Sequence, residues 1–274
     1  MLNNLINYPK NFFRIFINPI RKIITNIWDK RLNSYFLVKE NKNVIFKLYD
    51  FGPNTRMRGS TFESKEPETI NWIKSFKKND LLFDIGANIG VYSLYAAKKG
   101  INVISIEPDS LNYALINLNI KLNNYEKKIT AYCIALHNKT KLSKLNISSL
   151  EWGGALNSFD NSLDYKGNKF VPKYSQGVFG CSLDFFVKNL SLIPDHIKID
   201  VDGNEYLILL GATKLLKNLK LKTLLIELDE SREDYNNSID LIINSGFKLM
   251  EKSHAPMQKN TIFSKTYNHI FYRK

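Results

Sequence analysis

The sequence predicts an α/β fold: a doubly wound, mostly parallel sheet of seven strands, with helices on both faces and an antiparallel hairpin at its C-terminal edge. Three observations predict it. From residue 81 onward, short apolar runs alternate with helical stretches, the pattern of strands joined by crossover helices. The runs are almost continuously apolar, as strands covered on both faces are. The last two, 247–251 and 269–272, lack a full crossover helix between them and therefore pair antiparallel.

The elements follow in order. Residues 34–50 read as two strands around the turn Glu40-Asn41-Lys42-Asn43. Residues 51–64 are polar, carry Arg56 and Arg58, and read as a loop. A helix over 66–76 opens at Glu66-Pro67-Glu68-Thr69, with Ser64 as its cap and acids at the positive end of its dipole. Strand 81–85 and helix 90–98 come next, then strand 102–106, helix 110–122 and strand 129–135. The stretch 137–180 has few periodic apolar positions and reads as one long irregular segment. Helix 182–189, strand 196–199, helix 205–216, strand 223–228 and helix 238–245 lead into the closing hairpin. The chain thus divides into an N-terminal segment 1–33, a hairpin with lead-in helix 34–80, and an α/β domain 81–274.

The N-terminal segment is amphipathic over 11–28. Phe12, Phe13, Phe16, Ile20, Ile23, Ile24 and Ile27 share one helical face, opposite Arg14, Arg21 and Lys22. No apolar run there reaches bilayer-spanning length, and Arg14 interrupts any signal-peptide core. The face suits packing on the chain's own domain, a partner, or peripheral contact with an anionic membrane. Two cysteines, Cys133 and Cys181, stand far apart with no metal-ligand spacing, which argues against a disulfide scaffold or structural zinc and suits a reducing, cytoplasmic setting, with the inner membrane face as the alternative location. Net charge is +13, from 39 Lys+Arg against 26 Asp+Glu, spread along the chain rather than gathered in a patch.

In a doubly wound sheet, ligands bind outside the carboxyl ends of the strands at the switch point. There the first strand ends in Asp84-Ile85-Gly86-Ala87-Asn88-Ile89-Gly90. Gly86 and Gly90 allow a tight turn, and Ala87 and Asn88 lie between them on the loop facing a ligand. The spacing is G-x-x-x-G, not the G-x-G-x-x-G of a pyrophosphate site. An acid beside the loop repels phosphate and attracts a cation. S-adenosylmethionine carries an ammonium and a sulfonium and no phosphate, so Asp84 favours it over a dinucleotide. Glu107, 17 residues past Gly90 at the end of the second strand, stands near the interval at which an acid meets ribose hydroxyls. The third strand brings Ala135 and Leu136 to the adenine edge.

LLFDIGANIGVYSL, SIEPD and HIKIDVDGNEYLILLGATKLL resemble the FkbM family of S-adenosylmethionine-dependent methyltransferases, and KEPETINWI, LLIEL and NHIFYRK agree. The resemblance covers roughly residues 60–274. It implies a Rossmann-like class I methyltransferase fold over 81–274, and O-methylation of a hydroxyl on a sugar, polysaccharide or secondary metabolite. The sequence departs from the family at Asp202, where Glu is usual.

Strand 196–199 delivers Asp200 to the methyl-bearing edge, with Asp202 and Glu205 following. Asp200 is the expected base, Glu205 orients it or the substrate, and His137 ranks second as base. Asp200 and Glu227 also form a candidate Mg²⁺ pair, without the adjacent Asp-Asn that catechol-type enzymes add; no metal ligand is assigned. The aromatics Trp152, Phe159, Tyr165, Phe170 and Tyr174 suit an acceptor-binding surface. Nucleic acid is disfavoured as acceptor: the chain has no Pro-Pro pair of an amino-methylating motif and no Cys after Pro. The alternatives are an RNA-directed methyltransferase and a cofactor- or membrane-binding module of the same fold without catalysis.

Overall fold

A computed structural model describes residues 34–254 and 261–273. The amphipathic stretch 11–28 lies outside them, and with it the expected membrane contact. Among the described residues no helix is long and apolar enough to cross a membrane.

The hairpin forms as expected. β1 (Tyr35–Glu40) and β2 (Asn43–Tyr49) pair antiparallel through Asn41 and Lys42, which both take positive φ, the geometry of a tight two-residue turn. Three short helices follow: α1 (Pro53–Ser60), α2 (Phe62–Lys65) and α3 (Pro67–Lys74). The first two correct the expected loop over 51–64. Pro53 pre-sets the first turn of α1, and the Thr55 hydroxyl accepts from the Phe51 amide and donates to the Gly52 carbonyl. α1 buries only Thr55 and Gly59, so it carries no apolar stripe for periodicity to detect. Ser64 lies inside α2 and caps nothing. Glu66 is the N-cap of α3 without a side-chain cap bond, and its buried carboxylate turns to Lys65 and Thr69 instead.

The main sheet contains β3 (Leu81–Ile85), β4 (Asn102–Ile106), β5 (Ile129–Tyr132), β10 (His196–Ile199), β11 (Thr223–Asp229), β12 (Phe247–Ser253) and β13 (Thr266–Arg273). Their order is β12-β13-β11-β10-β3-β4-β5. β13 alone runs against the rest, inserted between β11 and β12. Helices α4 (Val91–Lys98), α5 (Ser110–Leu122), α6 (Leu183–Leu190), α7 (Glu205–Leu210) and α8 (Tyr235–Asn244) make the crossovers. Helix 205–216 is shorter than expected: it stops at Gly211 and resumes as a 3₁₀ turn, Leu215–Lys217. The order reverses between β3 and β10, which sets the switch point beside β3.

Two clusters fill the faces of this sheet. One joins Leu82, Val103, Leu94 and Leu115 to Val38, Phe46 and Leu48 of the hairpin; the other joins Phe83, Ile104, Ile197 and Leu224 to Phe186, Ile208 and Ile242. Side chains of α5 complete the docking of the hairpin. Asn119 and Asn123 accept from the amides of Tyr49 and Lys47 at 2.9 and 2.8 Å, satisfying an edge of β2 that is otherwise open.

Residues 137–180 are a second sheet rather than an irregular segment. β6 (Ala135–Leu136), β7 (Lys141–Ile147), β8 (Ser158–Phe159) and β9 (Tyr174–Cys181) lie in the order β6-β9-β7-β8. They enclose a small core of Ala135, Leu145, Ile147, Phe159 and Val178. The expected strand 129–135 is split accordingly: it leaves the main sheet after Tyr132, and Ala135 belongs to the second sheet.

Candidate active site

A cavity of about 300 Å³ opens over the carboxyl ends of β3, β4 and β10. Its floor is the turn after β3. Gly86 has φ +78, and a Cβ there would lie 1.8 Å from the Asp200 carbonyl oxygen, so only glycine lets the turn pass this close to β10. Gly90, φ +86, packs where a Cβ would meet Ile116 at 2.5 Å and starts α4. The amides of Gly86 and Ala87 donate to the Ile106 carbonyl at 2.9 and 3.1 Å. The Asn88 amide donates to Glu107 Oε2 at 2.7 Å and the Asp109 amide to Oε1 at 2.9 Å. Glu107 is thus fixed from behind, on the cavity wall. Burial pushes its carboxyl up to about 8, against which hydrogen bonds from a diol would favour the charged form.

Gly86, Asn88, Glu107, Ala135 and Asp200 are brought together on the cavity wall, with Ile106, Pro108, Ile134 and Leu136 forming an apolar slot at one end. Three expected contact residues do not reach it. Asp84 points to the opposite face of β3 from Ile85, as strand alternation requires. It accepts from Ser93 at 2.5 Å, and its Oδ1 is buried without a partner. Burial raises its carboxyl, and Lys198, its neighbour across the sheet, opposes that. Asp84 is thus bonded to Ser93 of α4 and does not line the cavity where the contact with a cofactor ammonium was expected. Ala87 is turned into the core cluster under the loop, and Gly90 shapes the turn.

At the other end Asp200, Asp202 and Glu227 line the cavity. Lys198 donates to Asp200 Oδ2 at 2.7 Å. Burial favours the neutral acid at Asp200, but the Lys198 and Lys65 ammoniums outweigh it and hold the carboxyl below its ordinary range. Burial and the Asp200 charge push Glu227 well up, so the two acids are driven in opposite directions. Burial and Asp200 also bring Asp202 up to about 6. Asp202 Oδ2 accepts from the Leu156 amide at 2.6 Å, with φ +59 at Asp202 itself.

Glu205 lies outside this cavity. It faces a smaller adjoining pocket with Tyr165, Asp229, Arg232 and Phe263, accepts from the Gly203 amide at 3.0 Å, and is pushed by burial up to about 7. His137 also lies off the wall: it is buried behind Leu136, and burial lowers its basicity. Of the five aromatics expected at an acceptor surface, Phe159 lines the cavity and Tyr165 the adjoining pocket, while Trp152 packs on Phe51 with ring centroids 4.7 Å apart.

Sequence reasoning missed the roof. Residues 151–157 form a strap pinned on both sides. Asn88 and Asn112 donate to the Gly154 carbonyl at 2.7 and 3.0 Å, and the Gly153 amide donates to Asn112 Oδ1 at 2.9 Å. Asn157 donates to Asp109 and the Leu156 amide to Asp202. Arg58 and Lys65, from the two missed helices, reach the cavity wall as well. Arg58 was signalled only by its charge inside a polar stretch, while Lys65 opens the segment KEPETINWI.

The donor set does not fit magnesium. Asp200 is paired with Lys198, Asp202 is engaged by a backbone amide, and the Lys65 ammonium acts on both Asp200 and Glu227. Among the described residues no group of acids, histidines and cysteines is placed to hold a metal ion. S-adenosylmethionine fits better: an apolar slot, a backbone-fixed acid for the ribose diol, and a glycine turn that admits close approach.

Residues 84–249 match the methyltransferase FkbM domain. Solved structures of similar fold include Aeropyrum pernix fibrillarin with natively bound S-adenosyl-L-methionine, at 9% identity over 88% of this chain and 84% of that one, TM-score 0.48. Precorrin-6y C5,15-methyltransferase from Geobacter metallireducens GS-15 matches at 11% over 76% and 87%, TM-score 0.47. Ribosomal protein L11 methylase from Lactobacillus delbrueckii subsp. bulgaricus matches at 12% over 89% and 92%, TM-score 0.47. The domain match begins at the acid before the glycine turn, runs through both walls of the cavity, and takes in more than half of the chain, which therefore belongs to the FkbM family of S-adenosylmethionine-dependent methyltransferases.

Proposed function

We propose that the chain transfers the methyl group of S-adenosylmethionine to a hydroxyl oxygen of an uncharged polyol acceptor: a sugar, a glycan or a hydroxylated secondary metabolite. The observation that carries this reading is the acidic far end of the cavity. Asp200, Asp202 and Glu227 line it, and Glu205 and Asp229 continue beyond it beside the Tyr165–Phe263 ring pair. Carboxylates and aromatic faces suit hydroxyl-rich, uncharged molecules. A phosphodiester chain brought to the same wall is repelled, so the +13 net charge does not make this an RNA site.

Bound S-adenosylmethionine supplies an electrophilic methyl carbon on a sulfonium leaving group. The chain's residues place the two partners. Glu107 would hold the ribose diol and the slot of Ile106, Pro108, Ile134, Ala135 and Leu136 the adenine, while the Gly86 turn sets the distance to β10. Asp200 stays ionised and orients the acceptor hydroxyl. Asp202, at about 6, is matched to take the proton of the acceptor hydroxyl as its oxygen is methylated. Glu205 supports the Asp202–Gly203 turn from the adjoining pocket.

The test is methyl transfer from labelled S-adenosylmethionine to a panel of glycosides and polyols, with tRNA as the contrasting acceptor. A methyl ether on a hydroxyl acceptor is expected, unaffected by EDTA. Asp200→Asn and Asp202→Asn should each lower turnover by about 10²–10⁴. The wild-type rate should rise with pH through about 6, and Asp202→Asn should lose that limb. Transfer to tRNA alone, or full turnover by both variants, overturns the proposal.

A further inference from the structure

We infer that Arg58 is the receptor for the α-carboxylate of the cofactor's methionine arm, a contact that the family's sequence motifs do not contain. The inference rests on S-adenosylmethionine as cofactor. Two cations line the cavity, Arg58 and Lys65. Lys65 is already paired with Glu66, 2.6 Å from its Oε1. Arg58 has no carboxylate within ion-pair distance among the described residues. Its Nε donates to the Gly153 carbonyl at 3.0 Å, and its two terminal nitrogens, the pair that forms a fork with a carboxylate, have no hydrogen-bond partner there.

The position fits the arm. With adenine at Ala135 and Leu136 and ribose at Glu107, the methionine end lies over the Gly86–Asn88 turn, between Glu107 and Asp200. Arg58 lines the same cavity as Glu107, Asp200 and Asp202 and acts electrostatically on all three. The cofactor carries one anionic group, and this is the cavity's one cation without an acid partner among the described residues. The guanidinium is also aimed in advance: Gly153 is fixed by Asn112, and Gly154 by Asn88 and Asn112. A bidentate charge-assisted pair in a half-enclosed site is strong and selective.

The test is calorimetric titration of the full chain with S-adenosylmethionine and with decarboxylated S-adenosylmethionine, which lacks only the carboxylate. Wild type should bind the complete cofactor about 10- to 100-fold more tightly than the decarboxylated one. Arg58→Ala should lose that preference by weakening S-adenosylmethionine alone, and Arg58→Lys should restore part of it. Equal affinity of wild type for both ligands overturns the inference, whatever the stability of the variants. So does a preference retained in Arg58→Ala, or equal weakening of both ligands. Binding of neither by wild type removes the cofactor reading itself.

Discussion

Glu205 shows how burial at a single residue becomes a pH dependence of the whole protein. Its carboxyl is 6% exposed and pushed up to about 7 by burial. In the unfolded chain it ionises in the usual carboxyl range, so between that range and about 7 the unfolded state has released a proton that the folded state keeps. Stability is therefore lost as pH rises through this window, and the loss is complete above it. Glu205→Gln removes the ionisation while keeping an acceptor for the Gly203 amide. Chemical denaturation should find the variant equal to wild type at pH 4 and more stable at pH 9, by on the order of 3 kcal/mol. A difference that does not change with pH contradicts the buried-acid reading. Lys198 gives the opposite case at the same scale: a fully buried ammonium is tolerated because Asp200, Glu66 and Asp84 surround it.

At the scale of elements, the parts that could be read from the sequence are those whose signals are local. Strand 81–85, strand 102–106, helix 110–122 and strand 196–199 coincide with β3, β4, α5 and β10 because an apolar run or a stripe ends at a glycine, proline or cap within the same few residues. What the sequence hid is tertiary. α1 exists through Pro53 and the Thr55 side chain rather than through a stripe. β9 is rich in Gly, Ser and Gln, and Leu142, its partner's most apolar outward residue, is 83% exposed, so pairing rather than alternation defines the second sheet. The strap 151–157 is assembled by asparagines 41 and 66 positions away. Asn112 is its central fastener, 1% exposed and bonded to both Gly153 and Gly154. Asn112→Ala leaves the buried Gly153 amide unpaired and should cost about 1–3 kcal/mol in stability. The same variant should also weaken S-adenosylmethionine binding, because Arg58 loses its fixed anchor. Wild-type stability in this variant would show that the strap is held elsewhere.

Over the whole molecule, chemistry is concentrated where the sheet reverses direction, and charge is sorted there by origin. The acids come from the ends of β4, β10 and β11; the cations come from α1 and α2, which precede the sheet. The glycine turn, Glu107 and Asp200 were legible because their spacing along the chain matches the strand ends they occupy. Arg58 was not, because its partner Gly153 lies 95 residues away. Asp84 misled for a related reason: its place in the sequence is beside the turn, but alternation along β3 points it beneath the floor. The acid proposed to meet the cofactor is therefore Glu107 rather than Asp84. Calorimetric titration with S-adenosylmethionine, comparing wild type with a folded Glu107→Ala variant, tests this most directly. Saturable binding by wild type and an affinity loss of about 10-fold or more in Glu107→Ala are expected; no binding by wild type, or undiminished binding by the variant, would contradict the account.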